Sequence, residues 1–292
     1  DNPVFSPDGK WIAFTSDRAG DNEIYAVSTE GGQPVRLTFS STSEAPVSWT
    51  PDGKELIYDT SYDKGYSGIY ALDVKSLRLR EIFVNYHRMD FPYVSPDGKT
   101  IAFTHKQVFA WTRPRYEGSG AAQVWTIGID GSGRKMVRSS GLQHLWPQFA
   151  PNNKDIYAVT VTDKTPSSRR IDERPSRFTD SPERTPNVHR IAANGKATRL
   201  TNFVGGSGAR FLSVASKADM LAFERDGAVY TMVPGKEPQK VAFTASIDDK
   251  GVMEERLVLT NGVEGASMTP DGKTAIIQIR RELWSVPTTR GK

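Results

Sequence analysis

A short motif recurs along the whole chain, and this repetition restricts the possible folds more than any other feature. An apolar residue precedes Ser-Pro-Asp-Gly-Lys and a short alternating apolar run, as in VFSPDGKWIAFTS. The residue before the Pro-Asp pair, or its equivalent in degenerate copies, is Ser6, Thr50, Ser95, Ala150, Ala215 and Thr269. These positions are 44, 45, 55, 65 and 54 residues apart. The short spacings match one four-stranded blade of roughly 40 to 50 residues.

Each repeat divides into the same four strands. Pro-Asp-Gly predicts a tight turn between the first two strands, because Pro presets φ and Gly accepts positive φ. A third strand such as EIYAVS from Glu23 follows a polar loop, and a Gly-containing turn leads to a short fourth strand such as PVRLTF from Pro34. No helical periodicity competes over a useful length. We therefore predict an all-β, six-bladed β-propeller of four-stranded antiparallel blades, with the last blade lacking its outer strand. A β-sandwich pair is the alternative.

The repeats predict one domain over residues 1–292. Its blades are expected at approximately 1–40, 45–84, 90–139, 146–203, 209–243 and 264–292. A propeller closes by pairing strands from both termini, because an open ring leaves edge strands unpaired. The sixth repeat stops before a fourth strand, so we expect the natural protein to be longer at both ends. The alternative is that this chain closes with 23 strands.

Composition excludes several classes of function. The formal charge is +4 and no Lys/Arg run forms a basic arm, so we expect no nucleic-acid partner despite a pI of about 9.1. The absence of cysteine excludes disulfides, thiolate zinc sites and a cysteine nucleophile. No stretch approaches 18 apolar residues, so we expect no membrane insertion. The compartment stays unknown, with periplasmic or secreted favoured over cytoplasmic.

Motifs for catalysis, cofactors and metals are incomplete. The nearest match to a nucleophile elbow, GGSGA from Gly205, ends in Ala209 and precedes a strand, which favours a flexible linker. Ser61 and Lys64 satisfy S-x-x-K without a predicted helix to align them. The four histidines, His87, His105, His144 and His189, show no metal-like spacing. The turn aspartates, Asp8, Asp52, Asp97 and Asp271, are predicted to stabilise local backbone. We expect no catalytic residue, cofactor or metal site in this chain.

The repeat resembles a known family. The SPDGK-x-[IL]-[AV]-F-x-S pattern, a following [DE]-[IL]-[YW]-x-[VL] and a closing [RK]-[LI]-T are similar to the TolB-type propeller repeat. Such repeats also occur in propellers that precede tricorn-type serine peptidases, and in propellers attached to prolyl-oligopeptidase-like or amidohydrolase modules. The segment LTNGVEGASMTPDGKTAIIQIRRELWSVP from Leu259 is most similar to the tricorn-type group. The resemblance implies a WD-like scaffold that binds or filters, with chemistry carried by another domain.

Strand parity places the long insertions on one face. Successive strands reverse direction, so two-to-three and blade-to-blade connections share a face, opposite the short turns. The insertions at about 105–122 and 162–186 and the linker at about 244–265 therefore lie together. They supply the candidate peptide- or protein-binding residues Phe109, Trp111, Arg113, Arg115, Tyr116, Arg169, Arg170, Arg174, Arg177 and Phe178. Solvated, partly disordered insertions are the alternative interpretation.

Two functions remain open at this point. One is a non-catalytic propeller that docks or gates peptides for a tricorn-type serine peptidase domain of the same parent protein. The other is a TolB-like protein-interaction module of the cell envelope with no enzyme attached. A third, a propeller enzyme acting through its central channel, would require converging acidic or histidine residues on innermost strands, which here are apolar and rich in Ser and Pro.

Overall fold

The computed structural model contains strands and no helix among the residues that it describes. These are residues 2–40, 42–60, 66–106, 116, 118–161, 182–183, 185–215, 217–242, 263–269, 273–279 and 282–287. The chain divides into two compact units, Asp1–Ala242 and Phe243–Lys292. Within the described part, no helix is long and apolar enough to cross a membrane.

Unit Asp1–Ala242 contains five four-stranded antiparallel sheets, each with its strands in chain order. Blade one is formed by β1–β4 (Val4–Phe5, Trp11–Ser16, Glu23–Ser28, Val35–Arg36) and blade two by β5–β8 (Ala45–Trp49, Glu55–Thr60, Ser67–Asp73, Leu79–Asn85). Blade three is formed by β9–β12 (Met89–Val94, Thr100–His105, Gln123–Gly128, Lys135–Arg138) and blade four by β13–β16 (His144–Phe149, Ile156–Thr160, Asn187–Ile191, Ala197–Arg199). Blade five is formed by β17–β20 (Arg210–Val214, Leu221–Arg225, Ala228–Met232, Gln239–Lys240).

The sixth repeat is not a sixth blade of this propeller. Its strands β21–β23 (Val263–Met268, Thr274–Ile279, Glu282–Pro287) form a three-stranded sheet inside unit Phe243–Lys292. The prediction of six blades is therefore wrong, and the propeller has five. The repeat motif predicts where a sheet begins, but it does not predict into which compact unit the sheet packs. The prediction of a single domain over 1–292 stays a prediction.

The repeated turn has the same hydrogen bonds in successive blades. In blade one, the Ser6 hydroxyl donates to the Asp8 carboxylate at 2.6 Å, and Asp8 also accepts the Lys10 backbone N–H at 3.1 Å. Gly9 has φ of 71°, a conformation that favours glycine. Asp52 and Asp97 make the equivalent bonds. The structural interpretation of these aspartates is confirmed, and Asp271 lies outside the described residues.

Four apolar clusters join neighbouring blades. Side chains alternate along each middle strand, so one strand contributes to the clusters on both of its sides. On β6, Leu56 and Tyr58 pack with blade one, whereas Ile57 packs with blade three. Two further clusters join blades three and four, around Ile156, and blades four and five, around Phe223. Burial on both faces explains why these strands are apolar almost throughout.

The innermost strands of blades three, four and five each contain a β-bulge. Its two residues lie four and three positions before the first residue of the turn. In β9, β13 and β17, two residues lie opposite a single residue of the second strand. Phe91, Trp146 and Phe211 occupy the first bulge position of these strands, with φ values of 58°, 51° and 51°. Positive φ is uncommon for bulky side chains, and a bulge re-aims the side chain that it carries. The same device thus reorients one aromatic residue in each of three consecutive blades.

Polar side chains link neighbouring innermost strands across the gap between blades. The Gln148 amide donates to the Leu212 carbonyl at 2.6 Å and accepts the Val214 N–H at 2.9 Å. Ser48 does the same from blade two to blade three, accepting the Val94 N–H and donating to the Pro92 carbonyl. In their repeats, both residues lie two positions before the residue that precedes the Pro-Asp pair or its equivalent. These strands lack each other as ladder partners, so the side chains satisfy their backbone groups.

Candidate binding face

Within each blade, successive strands run in opposite directions. The connections from second to third strands and the connections between blades therefore all lie on one side of the propeller. We call this side the loop face, and the side with the Pro-Asp-Gly turns the turn face. Connections on the loop face include residues 17–22, 61–66, 106–122 and 161–186, whereas those on the turn face are as short as 6–10. Most residues of the two predicted insertions and of the predicted linker at about 244–265 lie outside the described part of the chain, so the prediction that they lie together stays a prediction.

Among the candidate binding residues, only Tyr116 lies within the described part of the chain. Phe109, Trp111, Arg113, Arg115, Arg169, Arg170, Arg174, Arg177 and Phe178 lie outside it. Tyr116 is half-buried. A Cβ placed on Gly118 would lie 2.9 Å from its hydroxyl oxygen, so the ring lies against bare backbone. The Gly118 N–H donates to the Gly141 carbonyl at 3.1 Å, which ties the end of this insertion to the next blade connection.

Arginine side chains stack on aromatic rings along the loop face. The guanidinium carbon of Arg18 lies 4.8 Å from the Tyr25 ring centroid, and that of Arg36 lies 4.7 Å from Phe39. The guanidinium carbon of Arg225 lies 4.3 Å from the Phe203 ring centroid. Phe39 is 68% exposed. Arginine and aromatic residues are enriched where protein interfaces concentrate their binding energy.

A chain of rings runs from the loop-face surface into the space between blades two and three. Tyr86 is 77% exposed. Its ring centroid lies 6.1 Å from that of Tyr66 and 5.6 Å from that of His87. His87 lies 5.6 Å from the buried His105, which lies 5.3 Å from Trp125. Tyr86 therefore exposes a large ring to solvent while other rings pack against it. The sequence analysis missed it, because it lies in a short blade connection and not in an insertion.

Buried polar pairs hydrogen-bond the backbone beneath the loop face. In blade one, the Thr38 hydroxyl accepts the Ile24 N–H at 2.9 Å and donates to the Glu23 carboxylate at 2.6 Å, and Arg36 pairs with Glu23 at 2.5 Å. In blade four, Thr201 bonds the Val188 N–H and Asn187 in the same way. These residues are the first residue of the third strand and the Thr of the closing Arg-Leu-Thr. Two segments of the repeat motif thus pair with each other.

Three of the four histidines are buried and neutral at physiological pH. Burial lowers the pKa of His144 to about 3, with smaller contributions from Arg138 and His189. Burial also lowers the pKa of His105 and of His189 to about 4. His144 bonds Ser140, and the His189 ring bonds the Asn187 carbonyl. Within the described ranges, no group of three or more acidic or histidine side chains could hold a metal ion.

The motifs considered for catalysis have structural positions or lie outside the described residues. Gly205, Gly206 and Gly208 all have positive φ. The Ser207 N–H donates to the Asp226 carboxylate, and the Ser207 hydroxyl oxygen accepts the Asp226 N–H. The GGSGA segment is therefore a hydrogen-bonded turn before β17, and the prediction that it is flexible stays a prediction. Ser61 and Lys64 lie outside the described residues.

The aromatic residues of the bulges form an arc across blades three to five. The rings of Phe91 and Trp146 are 5.5 Å apart, and those of Trp146 and Phe211 are 5.4 Å apart. Trp146 is buried, whereas Phe211 is 55% exposed. A small cavity of about 20 Å³ adjoins Trp146 where the insertion 161–186 starts and ends. Its lining is Gln143, Leu145, Trp146, Val159, Thr160, Val161, Pro186, Ser207, Ala209 and Arg210. The three aromatic residues share one sequence position, four residues before the first residue of the turn, but this spacing alone does not predict that their rings meet.

Repeated four-stranded blades, inter-blade apolar clusters and tight Pro-Asp-Gly turns together define a β-propeller of the SPDGK-repeat class. The family model described as the tricorn protease N-terminal beta propeller domain matches residues 1–168, more than half of the chain. The chain belongs to this family. The resemblance to TolB-type and tricorn-type propellers is thereby confirmed.

Individual relatives are similar over part of their length. The chain is 27% identical over 170 residues to the uncharacterized peptidase YuxL of Bacillus subtilis (strain 168), covering 58% of this chain and 23% of that protein. It is 25% identical over 230 residues to the Tol-Pal system protein TolB of Francisella tularensis subsp. mediasiatica (strain FSC147), covering 76% and 46%. The crystal structure of the tricorn protease matches with a TM-score of 0.63 at 17% identity, covering 98% of this chain and 26% of that one. The chain spans about half, or less, of its curated relatives' length.

Proposed function

We propose that this chain is a non-catalytic propeller that docks or gates peptide or protein segments on its loop face, on behalf of a tricorn-type serine peptidase domain of its parent protein. The observation that carries the proposal is the presence on that face of three arginine–aromatic pairs, formed by Arg18, Arg36 and Arg225, and of the exposed Tyr86. Family membership and the similarity to a peptidase support the attachment to a peptidase. The scaffold itself supplies position and contact area.

We include the two insertions in the proposed surface. Phe109, Trp111, Arg113 and Arg115 belong to the connection that leaves His105, and Tyr116 lies near its return. Arg169, Arg170, Arg174, Arg177 and Phe178 belong to the connection that adjoins the cavity at Trp146. Aromatic rings and guanidinium groups suit peptide backbone and mixed side chains better than they suit regularly spaced phosphates.

A TolB-like interaction module of the cell envelope is the second candidate. The observation that favours it is the extent of the TolB similarity, which covers 76% of this chain against 58% for the peptidase. A periplasmic or secreted location belongs to this candidate. Both candidates place binding on the loop face, and they differ in the domains that accompany the propeller.

The proposal is tested by selecting peptides from a displayed random library on this chain and measuring their affinities for variants. Arg113→Glu with Arg115→Glu, and separately Tyr86→Ala, should weaken binding about tenfold or more, as removal of interface anchors does. Trp11→Ala is the matched control, because Trp11 is also exposed but lies beside a turn-face turn. An equal loss in the control variant, or affinities unchanged in both loop-face variants, would contradict the proposal.

A further inference from the structure

The cavity beside Trp146 lies between blades four and five, and we call it the Trp146 cavity. Its volume is about 20 Å³, and it is partly open to the surface. The innermost strands of both blades, strand β14 and the two ends of the connection 161–186 form its walls. The cavity therefore lies among the loop-face connections. Its apolar walls are Leu145, Trp146, Val159, Val161, Pro186 and Ala209.

The polar side chains that line the Trp146 cavity already have partners. Gln143 accepts a backbone N–H at 2.7 Å, whereas the Thr160 and Ser207 hydroxyls each donate to a backbone carbonyl at 3.0 Å. Arg210 pairs with Glu224 at 2.7 Å, so the charge at the cavity is compensated. None of these four lining side chains, all in the described part of the chain, has a buried polar atom without a partner. Because a buried water molecule needs about two to four polar partners, the cavity favours a neutral, apolar group.

The size of the cavity restricts this group further. A volume of about 20 Å³ exceeds the roughly 10–15 Å³ that one water molecule requires, and it stays far below the roughly 150 Å³ of a cavity that admits benzene. It therefore matches one methyl group. The ring of Phe211 contacts that of Trp146 at 5.4 Å and is 55% exposed. An aromatic surface thus continues from the cavity wall to solvent.

We propose that the Trp146 cavity is a subsite for the methyl side chain of an alanine residue in a bound peptide, with the exposed ring of Phe211 in contact with the adjacent peptide residue. Burial of one methyl group strengthens binding about fourfold relative to glycine. A leucine side chain exceeds the available volume and has to displace the walls, which opposes its binding. The subsite rests on the proposed peptide-docking function and deepens it, because it names the residue that is selected.

Dissolved xenon tests the cavity without any peptide, because xenon enters dry apolar cavities and is close to a methyl group in size. We expect xenon to shift the backbone amide NMR signals of Leu145, Trp146 and Val159, and to leave those of the turn-face segment 50–54 unchanged. Val161→Leu adds a methylene group to the cavity wall and should abolish these shifts. Val204→Leu is the matched control, because Val204 is 50% exposed and does not line the cavity, and should preserve them.

Capped tripeptides test the occupant of the cavity by NMR titration. Acetyl-Gly-Ala-Gly-amide should bind about fourfold more tightly than its all-glycine analogue, more tightly than its central-leucine analogue, and should displace xenon. Val161→Ala enlarges the cavity, so the central-leucine peptide should then bind at least as tightly as the alanine peptide. A variant that has lost its fold would weaken all three peptides together, and its thermal unfolding midpoint would reveal this.

Three results would overturn the subsite. These are the absence of xenon shifts at the cavity, equal affinities for the alanine and glycine peptides, or a preference for alanine over leucine that Val161→Ala leaves unchanged. Xenon shifts do not depend on peptide capture. If library-selected peptides alone fail to respond to the loop-face variants, the docking function is contradicted, whereas a failure of xenon or of the alanine preference contradicts the subsite.

Discussion

Individual polar side chains link neighbouring blades at positions that the apolar pattern of the chain does not reveal. Gln148 and Ser48 bridge innermost strands that do not pair with each other, and each satisfies one backbone N–H and one backbone carbonyl that are buried or partly buried. Their type differs from blade to blade, so neither belongs to the recurrent motif. What they share is their position two residues before the turn residue, where the strand backbone of the next blade comes within reach.

Replacement of Gln148 by Leu tests this linkage. The Leu212 carbonyl and the Val214 N–H would lose their partner, and an unsatisfied buried group costs about 1–3 kcal/mol. We expect the free energy of unfolding, measured by urea denaturation, to fall by at least about this amount. Gln33→Leu is the matched control, because Gln33 is exposed, and should change stability by less than about 0.5 kcal/mol. Equal stability of the two variants would show that the bridge is dispensable.

The buried histidines make stability depend on pH in a window above that of the carboxylates. Their pKa values in the folded state, about 3 for His144 and about 4 for His105 and His189, lie below the unfolded value of 6.5. The unfolded chain therefore binds more protons as pH falls below 6.5, and stability is lost from there down to the folded pKa values. Each histidine contributes a slope of up to about 1.4 kcal/mol per pH unit. Urea denaturation between pH 7 and pH 4.5 measures this slope.

Replacement of His144 by Gln should make that slope shallower by the share of one histidine. Gln33→Leu changes no histidine and should leave the slope as it is in the natural sequence. A slope that His144→Gln does not change would mean that His144 takes up its proton without cost in the folded state.

At the scale of elements, the motif residues fall into two groups with different reasons for recurring. Ser or Thr, Asp and Gly of the turn close the first hairpin of blades one, two and three. The acidic or amide residue that starts the third strand and the Thr of Arg-Leu-Thr form a buried pair that joins the third strand to the chain beyond the fourth. The sequence shows both segments recurring in step, but their pairing emerges only when the blade is folded.

Replacement of Thr201 by Val tests the second group. Valine keeps the shape and removes the hydroxyl, so the Val188 N–H and the Asn187 side chain each lose a bond. We expect a loss of about 1–3 kcal/mol in the free energy of unfolding. Thr198→Val, on the exposed side of β16, is the control and should remain within about 0.5 kcal/mol. If both variants unfold alike, the buried pair does not stabilise the blade.

The strands were largely predictable, whereas the aromatic arc and the number of blades were not. Pro-Asp-Gly turns and period-two alternation are local signals, so the strands beside each turn follow from the sequence. Phe91, Trp146 and Phe211 belong to three different repeats, and the bulge that re-aims them depends on strand pairing. Tyr86 was missed because exposure in a short connection has no local signature. The blade count failed because packing of the sixth sheet depends on contacts distant along the chain.

At the scale of the whole molecule, the five blades of unit Asp1–Ala242 have two unlike sides. The turn face consists of short, self-bonded hairpin turns, and the loop face carries the long connections, the stacked arginines and the exposed Tyr86. Connecting loops on a β-scaffold are where binding residues are usually found. The central claim is therefore that partners contact the loop face.

Hydrogen–deuterium exchange with and without a selected peptide tests this claim most directly. Bound peptide should slow exchange of the loop-face connections, including residues 37–44 and 85–88, and leave the turn-face segments 6–10, 50–54 and 95–99 unchanged. Protection confined to the turn-face segments, or spread evenly over both faces, would contradict the account.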